Sequence, residues 1–435
     1  MDFDRLQITS PKRNSRLQTG WEGFFPYYAG YPEAFARALL ESAKLNAGAV
    51  VLDPWNGSGT TTYTAAQLGL AARGSDLNPV MVIVARARLL SPHEADSLEP
   101  LAQRIVRCAK TPKKSPSSAD PLTWWFTPNT TKVLRAIERS IRRHLVGQLT
   151  LSSTGTNLDR LSGIAATFYV ALFSVCRDMA ARYQASNPTW MRRPGESELR
   201  AWASRDTIVD RFTAKLLEMA TALTDRTMQG NLLAPEPAGC DIRLSDTTTS
   251  PLPPNSVDLI LTSPPYCTRI DYTAATRIEL AVLAPLLDAS WQELGRQMIG
   301  STRVPLHDIA VDDDWGPTCS AFLKALYRHP SKASKGYYYK THLDYFEKMG
   351  RSLTNLAGAL KKNAGAIFVV QDSFYKEIHN DLPTIIAEMA EARGLVLSRR
   401  EDFYFARSMS GINPRSRAYE RGTGATEAVL CFEKA

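Results

Sequence analysis

The chain has 435 residues with an ordinary globular composition (44% hydrophobic, 22% charged) and a net charge of +8, so its length allows a large core. No apolar run reaches the roughly 18–20 residues of a membrane helix and the N-terminus lacks a signal-peptide pattern, so we expect a soluble cytoplasmic protein with no membrane partner. The six cysteines and six histidines are scattered singly, which argues against a disulfide framework and predicts no metal site.

The first predicted elements form a strand–helix–strand–helix unit between residues 48 and 90. An aromatic segment that includes Phe25, Tyr27 and Tyr28 precedes it and leads into a helix. The strands are "GAVVLDP" and "LAARGSD", and the helices are "TTYTAAQLG" and "PVMVIVARARLL". Apolar runs of strand length followed by helical patterns predict parallel strands joined by crossover helices.

The turn after the first strand, "DPWNGSGTTT", has features of a ligand-binding turn. Gly57 and Gly59 allow close approach of a ligand, and Thr60 and Thr61 lie where a helix N-terminus offers free amides. No lysine follows the second glycine, unlike in a P-loop, and a threonine stands where a dinucleotide-binding loop has its third glycine. With Asp76 at the end of the second strand, the pattern favours a ligand that has a ribose and no phosphates. A turn that serves only the fold is the alternative.

A basic helical insert is predicted between the second and third strands. It follows a Lys/Ser/Pro-rich linker at 109–121, and residues 101–235 contain 20 Lys and Arg against 10 Asp and Glu. Arginines alternate with aromatic residues in "RYQASNPTWMRRP", which makes Arg182, Arg192 and Arg193 candidate nucleic-acid contacts. An ordinary solvated helix face is the alternative.

The strand–helix alternation resumes at residue 240. Strands are predicted at "CDIRLSD", "SVDLILTSPPY" and "KNAGAIFVVQD", and the chain ends in the pair "LVLSRREDFYFA" and "ATEAVLCFEK". The predicted fold class is α/β: a Rossmann-like, doubly wound, mostly parallel sheet with a C-terminal antiparallel hairpin and a helical insert subdomain. The predicted parts are 1–95, 96–235 and 236–435, of which the first and last form one domain.

The fourth predicted strand ends in Ser263-Pro264-Pro265-Tyr266. The lone pair of an exocyclic amine on a nucleobase is delocalised into the ring, so the amine reacts only when acceptors on its N–H groups change its geometry. The Ser263 hydroxyl and the Pro264 carbonyl are candidate acceptors, and Tyr266 is a candidate stacking face for a base turned out of its helix. Simple termination of a strand is the alternative.

"DPWNGSGTT" and "TSPPY" together resemble the two motifs of the amino-methylating DNA methyltransferases, which use S-adenosylmethionine to modify cytosine N4 or adenine N6. The resemblance covers about 21–90 and 240–435. It implies S-adenosylmethionine as the cofactor and double-stranded DNA as the partner, with Ser263, Pro264, Pro265 and Tyr266 as catalytic residues. It also implies the cofactor-binding residues Tyr27, Tyr28, Asp53, Trp55, Gly57, Ser58, Gly59, Thr60, Thr61, Asp76, Asn78 and Asp246.

Ser263, where many relatives have Asp, makes cytosine N4 the expected target, because members of the family with SPPY are mostly of that type. The alternatives are adenine N6 in DNA, guanine N2 in RNA, and a non-catalytic DNA-binding component of a defence system. Further expected nucleic-acid contacts are Arg269 and Tyr272 beside the pocket, and Tyr337 and Tyr338 in a basic loop at 329–342 that we expect to be flexible. A cognate restriction or defence-system partner and association with the nucleoid are further implications of the resemblance.

Overall fold

The computed structural model describes residues 1–12, 24–25, 30–111, 113, 117, 119–147, 151–152, 155–156, 158–185, 190–228, 239–267, 271–287, 291–405 and 424–435. The strands in these residues are β1 (Val50–Asp53), β2 (Ala71–Asp76), β3 (Leu151–Ser152), β4 (Gly155–Thr156), β5 (Cys240–Leu244), β6 (Val257–Thr262), β7 (Leu360–Gln371), β8 (Ser373–Tyr375), β9 (Ile378–Asn380), β10 (Leu395–Phe405) and β11 (Ala425–Lys434).

The α-helices are α1 (Glu33–Ser42), α2 (Thr60–Gln67), α3 (Pro79–Arg88), α4 (Ala95–Cys108), α5 (Pro128–Leu145), α6 (Gly163–Met179), α7 (Arg205–Met228), α8 (Tyr272–Ala275), α9 (Arg277–Leu283), α10 (Trp291–Gln297), α11 (Gly316–Arg328), α12 (Tyr339–Ala359) and α13 (Leu382–Glu391). Short polar side chains begin several of them: Asn78, Thr127, Ser162 and Asp381 each accept a hydrogen bond from a first-turn amide. None of the described helices has the length and apolar character needed to cross a membrane.

The described strands form a central sheet of seven strands in the order β5–β2–β1–β6–β7–β11–β10. β5, β2, β1, β6 and β7 pair in parallel, whereas β11 runs antiparallel between β7 and β10. The α/β fold class, with its mostly parallel sheet and C-terminal hairpin, is confirmed. Strand order reverses between β1 and β6, and in such sheets ligands bind at the carboxyl ends beside the reversal.

Both faces of the sheet are buried because successive residues of a strand point to opposite sides. Val51 and Leu259 pack with α1 and the N-terminal segment, whereas Leu52 and Ile260 pack with α11, α12 and α13. All four of these side chains are at most 2% exposed. This two-sided burial explains the continuous apolar runs of β1 and β6.

The helices of the insert, predicted as a subdomain, pack against helices of the sheet domain. Its helices α4 to α7 form one hydrophobic cluster that also contains side chains of α3 and α9, among them Val80 and Ile278. The described part of the insert therefore extends the helical layer of the sheet domain, because its apolar helix α6 packs directly on α3.

The prediction of a flexible loop at 329–342 is wrong. Residues Ser334–Tyr338 form a π-helix that continues into α12. The Ser334 hydroxyl is buried, bonds the Tyr375 hydroxyl at 2.6 Å and lies 3.2 Å from Nδ1 of His329. These contacts order the segment, and none of them is visible in its local composition.

Candidate functional site

A cleft opens at the carboxyl ends of β1, β2, β5 and β6. It encloses about 990 Å³ of space, counted out to its opening to solvent. The glycine-bearing turn, the residues after β2 and β5, and the Ser-Pro-Pro-Tyr segment all line it. Of the predicted cofactor-binding and catalytic residues, those on its wall are Asp53, Trp55, Gly57, Ser58, Thr60, Thr61, Asp76, Asn78, Asp246, Ser263, Pro264, Pro265 and Tyr266.

Asp53 organises the base of the cleft. Its Oδ2 accepts a hydrogen bond from Thr61 Oγ1 at 2.6 Å, and its Oδ1 accepts from Thr262 Oγ1 at 2.6 Å and from the Trp55 amide at 3.2 Å. Burial raises the pKa of Asp53 to about 6, although these hydrogen bonds act in the opposite direction. Thr61 also bonds the Tyr31 hydroxyl at 2.6 Å. Asp53 thus joins β1, α2 and β6 in one network.

The turn between β1 and α2 is fixed by its backbone. Asn56 donates its amide to the Ser75 carbonyl at 2.9 Å, and Gly57 donates its amide to Asp76 Oδ2 at 2.9 Å. Gly59 has a φ of +80°, and a Cβ there would lie 2.9 Å from Ala85 Cβ. Gly59 therefore lies behind the cleft wall, where it lets α2 pack on α3, and not on the wall as expected of a cofactor contact.

Asp76 presents a carboxylate at the end of β2. Its Oδ1 accepts from the Asn78 amide at 2.8 Å and its Oδ2 accepts from the Gly57 amide. Burial raises the pKa of Asp76 to about 6, and the negative charge of Asp53 adds to this effect. Each oxygen retains an acceptor site, since an ionised carboxylate oxygen accepts about two hydrogen bonds. The arrangement suits a ligand with two adjacent hydroxyls.

Two buried donors in the cleft have no hydrogen-bond partner among the described residues. They are the indole Nε1 of Trp55 and the side-chain Nδ2 of Asn56. A Cβ at position 74 would come within 2.6 Å of the Asn56 side chain, so glycine on β2 makes room for it. Buried donors without partners are costly, and a ligand acceptor in the cleft would satisfy them. Sequence reasoning missed Asn56, although it stands inside the recognised turn.

Two further predicted cofactor residues have internal roles as well. Asp246 Oδ1 accepts from the amide and hydroxyl of Thr248 at 2.8 and 2.7 Å, which leaves Oδ2 as the free oxygen of its carboxylate among the described contacts. Asn78 is 3% exposed; its Oδ1 caps α3 and its Nδ2 donates to Thr276 Oγ1 at 2.9 Å. Both atoms of the Asn78 amide group therefore take part in bonds that shape the wall.

Hydrogen bonds hold the Ser-Pro-Pro-Tyr segment at three points. Ser263 Oγ donates to the Val369 carbonyl at 3.1 Å, the Tyr345 hydroxyl donates to the Pro265 carbonyl at 3.0 Å, and the Tyr266 amide donates to the Tyr272 hydroxyl at 3.0 Å. Because the single hydroxyl proton of Ser263 is used on β7, its lone pairs are acceptors for a ligand. No donor among the described residues occupies the Pro264 carbonyl.

Tyr345 and the residues of α10 were missed from the sequence. Tyr345 is fully buried on α12, and Gln297, the last residue of α10, and Met298 after it line the cleft. They follow the catalytic segment by 31 or more residues and belong to no recognised motif, so no local signal identifies them. Tyr272, predicted as a nucleic-acid contact, lines the cleft and bonds the catalytic backbone.

The predicted nucleic-acid contacts lie in different surroundings. Arg192 forms a two-bond ion pair with Glu198 at 2.6 and 2.7 Å, and Arg182 donates to the Leu199 carbonyl at 2.6 Å. The guanidinium of Arg193 stacks on Trp124, 3.0 Å from the ring centroid. Tyr337 donates to the Thr302 carbonyl at 2.6 Å.

The remaining aromatic predictions have separate outcomes. Tyr338 packs on Tyr375 with ring centroids 4.6 Å apart. Phe25 is buried in the cluster of α3 and α6, with the Arg177 guanidinium 5.5 Å from its ring centroid, whereas Tyr31, which follows the same aromatic segment, lines the cleft. Tyr27, Tyr28 and Arg269 lie outside the described residues.

No family model matches the chain. The chain is similar to Type II methyltransferase M.BsoBI of Geobacillus stearothermophilus, with 24% identity over 303 residues. The match covers 65% of this chain and 55% of that protein, so the chain spans about half the length of this relative. This similarity supports the relationship with DNA methyltransferases that the two motifs indicate.

Proposed function

We propose that the chain transfers a methyl group from S-adenosylmethionine to the exocyclic N4 amine of a cytosine turned out of double-stranded DNA. One observation carries the proposal: Asp76 at the end of β2 and Ser263 directly after β6, 187 residues apart in the chain, line the same cleft. Methylation of an amine requires a site for the nucleoside of the cofactor next to acceptors for the target N–H groups. Asp76 suits the first and the strand end at Ser263 suits the second.

The cleft residues suit the cofactor. The Asp76 carboxylate would accept hydrogen bonds from the ribose hydroxyls, and Asp246 Oδ2 would accept from the adenine amine. The unpartnered donors Trp55 Nε1 and Asn56 Nδ2 would bind an acceptor such as the methionine carboxylate. When bound, S-adenosylmethionine supplies an electrophilic methyl group.

The Ser-Pro-Pro-Tyr segment would activate the target amine. Ser263 Oγ and the Pro264 carbonyl each accept a hydrogen bond from one N–H group of the amine. These two bonds draw the nitrogen lone pair out of conjugation with the ring and direct it into the cleft. Tyr266 stacks on the base and keeps it in one plane. After transfer, the nitrogen carries the surplus proton, and the acceptor oxygens bind this N–H group by hydrogen bonds until the proton passes to water, so no covalent enzyme intermediate is needed.

Cytosine is the proposed base because Ser263 stands where adenine-specific relatives mostly have Asp. The Ser263 hydroxyl, which donates its hydrogen bond to the Val369 carbonyl, is a weaker acceptor than a carboxylate. The Pro264 carbonyl beside it supplies a second acceptor. The relative named above is the independent support for a methyltransferase.

The test identifies the modified nucleoside. The protein is incubated with labelled S-adenosylmethionine and unmethylated genomic DNA, the DNA is digested, and the nucleosides are separated. We expect N4-methylcytosine. Label in N6-methyladenine would overturn the choice of base, label only in RNA would overturn the choice of DNA, and no label in either nucleic acid would contradict the proposed activity.

A further inference from the structure

Three arginines gather beside the cleft from three parts of the chain. They are Arg193 of the insert, Arg277 at the start of α9, and Arg303 after α10. Burial lowers the pKa of Arg193 and of Arg277. The charge of Arg277 lowers the pKa of Arg193 further, and the charge of Arg303 does the same to Arg277. The packing brings them to one place. Arg193 stacks on Trp124, whose 3-10 helix (Pro121–Trp124) contacts α9. Arg303 lies against α10, which contacts α8, the helix just before Arg277. Like charges held on neighbouring elements in this way repel one another.

Packing holds two of these arginines in place. The guanidinium of Arg193 lies 3.0 Å from the centroid of the Trp124 ring, a cation–π stack. Arg303 lies against α10 at Gly295, where a Cβ would be 2.8 Å from its Nε. A side chain at 295 would displace Arg303, so the glycine makes its position available. The positive charges are thus fixed despite their mutual repulsion.

The charge of this arginine triad is poorly balanced. None of the three forms an ion pair with an acidic residue of the described chain, whereas Arg135, Arg177 and Arg192 each do. Asp271 is the acidic residue that raises the pKa of Arg277, but its Oδ1 is already bonded to the Ala274 amide and the Thr273 hydroxyl. A bound anion would relieve the repulsion.

The triad belongs to the rim of the cleft. Arg277 directly follows Thr276, which lines the cleft, and Asp271 directly precedes Tyr272, which lines it too. Gly295, which seats Arg303, is two residues before Gln297 on the cleft wall. Arg193 of the insert approaches the same side of the cleft through Trp124, whose 3-10 helix contacts α9. An anion held there would lie next to a ligand in the cleft.

We propose that Arg193, Arg277 and Arg303 form a phosphate clamp that holds the DNA backbone next to the nucleotide turned into the cleft. A nucleotide in the cleft stays attached to a phosphate on each side, so fixed cations at the rim position the base without reading its sequence. This inference rests on the proposed function for its choice of ligand. It assigns Arg277 and Arg303, which lie in no recognised motif, and gives Arg193 a defined role.

The test measures binding of a mixed-sequence DNA duplex as a function of salt. The variants are Arg277→Gln, Arg303→Gln and the charge-keeping Arg277→Lys, with Arg400→Gln as the control, which removes one cation from edge strand β10. Each phosphate contact contributes about 0.9 to the slope of log affinity against log salt. We expect the slope to fall by about that amount in each rim Gln variant. It should keep its original value in Arg277→Lys and Arg400→Gln.

Affinity for S-adenosylmethionine and the melting temperature serve as checks that each variant is folded. Equal slopes in the rim variants and in Arg400→Gln would overturn the clamp, even if the protein methylates DNA. A lowered slope in a protein that methylates no nucleic acid would support the clamp and contradict the proposed function. Binding of RNA but not of the DNA duplex by the wild-type protein would overturn DNA as the clamped ligand.

Discussion

The cleft and the insert use charge in opposite ways. In the cleft, Asp53 and Asp76 are ionisable groups at a buried strand edge, and each of their carboxylate oxygens accepts at least one hydrogen bond from the backbone or a threonine. In the insert, cations such as Arg182 and Arg193 lie at the surface and stack on aromatic rings. The cleft therefore fixes geometry, whereas the role that we propose for the insert is attraction of a polyanion. Changes in the cleft should affect turnover, and changes in the insert should affect DNA affinity.

The two regions meet at α9. Arg177 of α6 forms a buried ion pair with Glu279, and Arg135 of α5 donates to the carbonyls of Ala281 and Val282 at 2.6 and 2.7 Å. Thr276 and the arginine at 277 lie at the same helix, so the insert sets the position of one cleft wall. We call this contact between the insert helices α5 and α6 and helix α9 the α9 contact.

The largest effect is expected at the α9 contact. Arg177→Ala leaves Glu279 buried without its partner and should lower the free energy of unfolding by about 3–5 kcal/mol. The loss is measured by denaturant unfolding. Arg192→Ala is the matched control, since its ion pair with Glu198 is exposed and should contribute little. Equal effects of the two substitutions would contradict the conclusion that the Arg177–Glu279 ion pair holds the insert on α9.

Ser263→Ala should separate chemistry from binding. Loss of one acceptor for the target amine should lower kcat by about 10²–10³ while S-adenosylmethionine and DNA affinities stay unchanged. Single-turnover methylation with both ligands saturating measures it. Ser256→Ala, at the other end of β6, is the control, because its hydroxyl bonds Pro253 and Arg73 far from the cleft. Normal turnover by Ser263→Ala would remove the serine from the mechanism.

Lowering the pH should weaken S-adenosylmethionine binding. In the unliganded protein it should raise the free energy of unfolding. Asp76 must be ionised to accept hydroxyl protons, so affinity should fall about tenfold per pH unit below its pKa of about 6. A carboxyl whose pKa is raised by folding destabilises the folded state above that pKa, and this cost disappears as the pH falls towards about 4. Calorimetry at several pH values tests the affinity, and Asp76→Asn should bind weakly without this pH dependence.

The smallest effect is expected for Tyr345→Phe, a positioning residue. Loss of its hydrogen bond to Pro265 costs about 1 kcal/mol, so kcat should fall about fivefold while the KM for S-adenosylmethionine is unchanged. Tyr169→Phe in the insert, whose hydroxyl donates to Glu138 at 3.4 Å, is the control. If both variants lower the melting temperature and neither lowers kcat, Tyr345 acts only in folding.

Much of the sheet was predictable, and the reasons are local. β1, β6 and β7 contain apolar runs of strand length, β1 and β2 end in Asp53 and Asp76, and Ser263 and Asp372 directly follow β6 and β7. The insert was harder to place, because a helical pattern does not say which neighbour its apolar face contacts. The segment 329–342 was mistaken for a flexible loop because its order depends on contacts such as the hydrogen bond of Ser334 with Tyr375, 41 residues further along the chain.

By itself the sequence determined the α/β class, the glycine-bearing turn and the Ser-Pro-Pro-Tyr strand end, since periodicity and short motifs depend on adjacent residues. Only the tertiary structure decided that Thr262 bonds Asp53, 209 residues away, that Tyr345 holds Pro265, and that Gly59 packs behind the wall. It also brought Arg193, Arg277 and Arg303 together. Such contacts depend on strand order and helix packing, which place distant side chains in one cleft and leave no pattern in the local sequence.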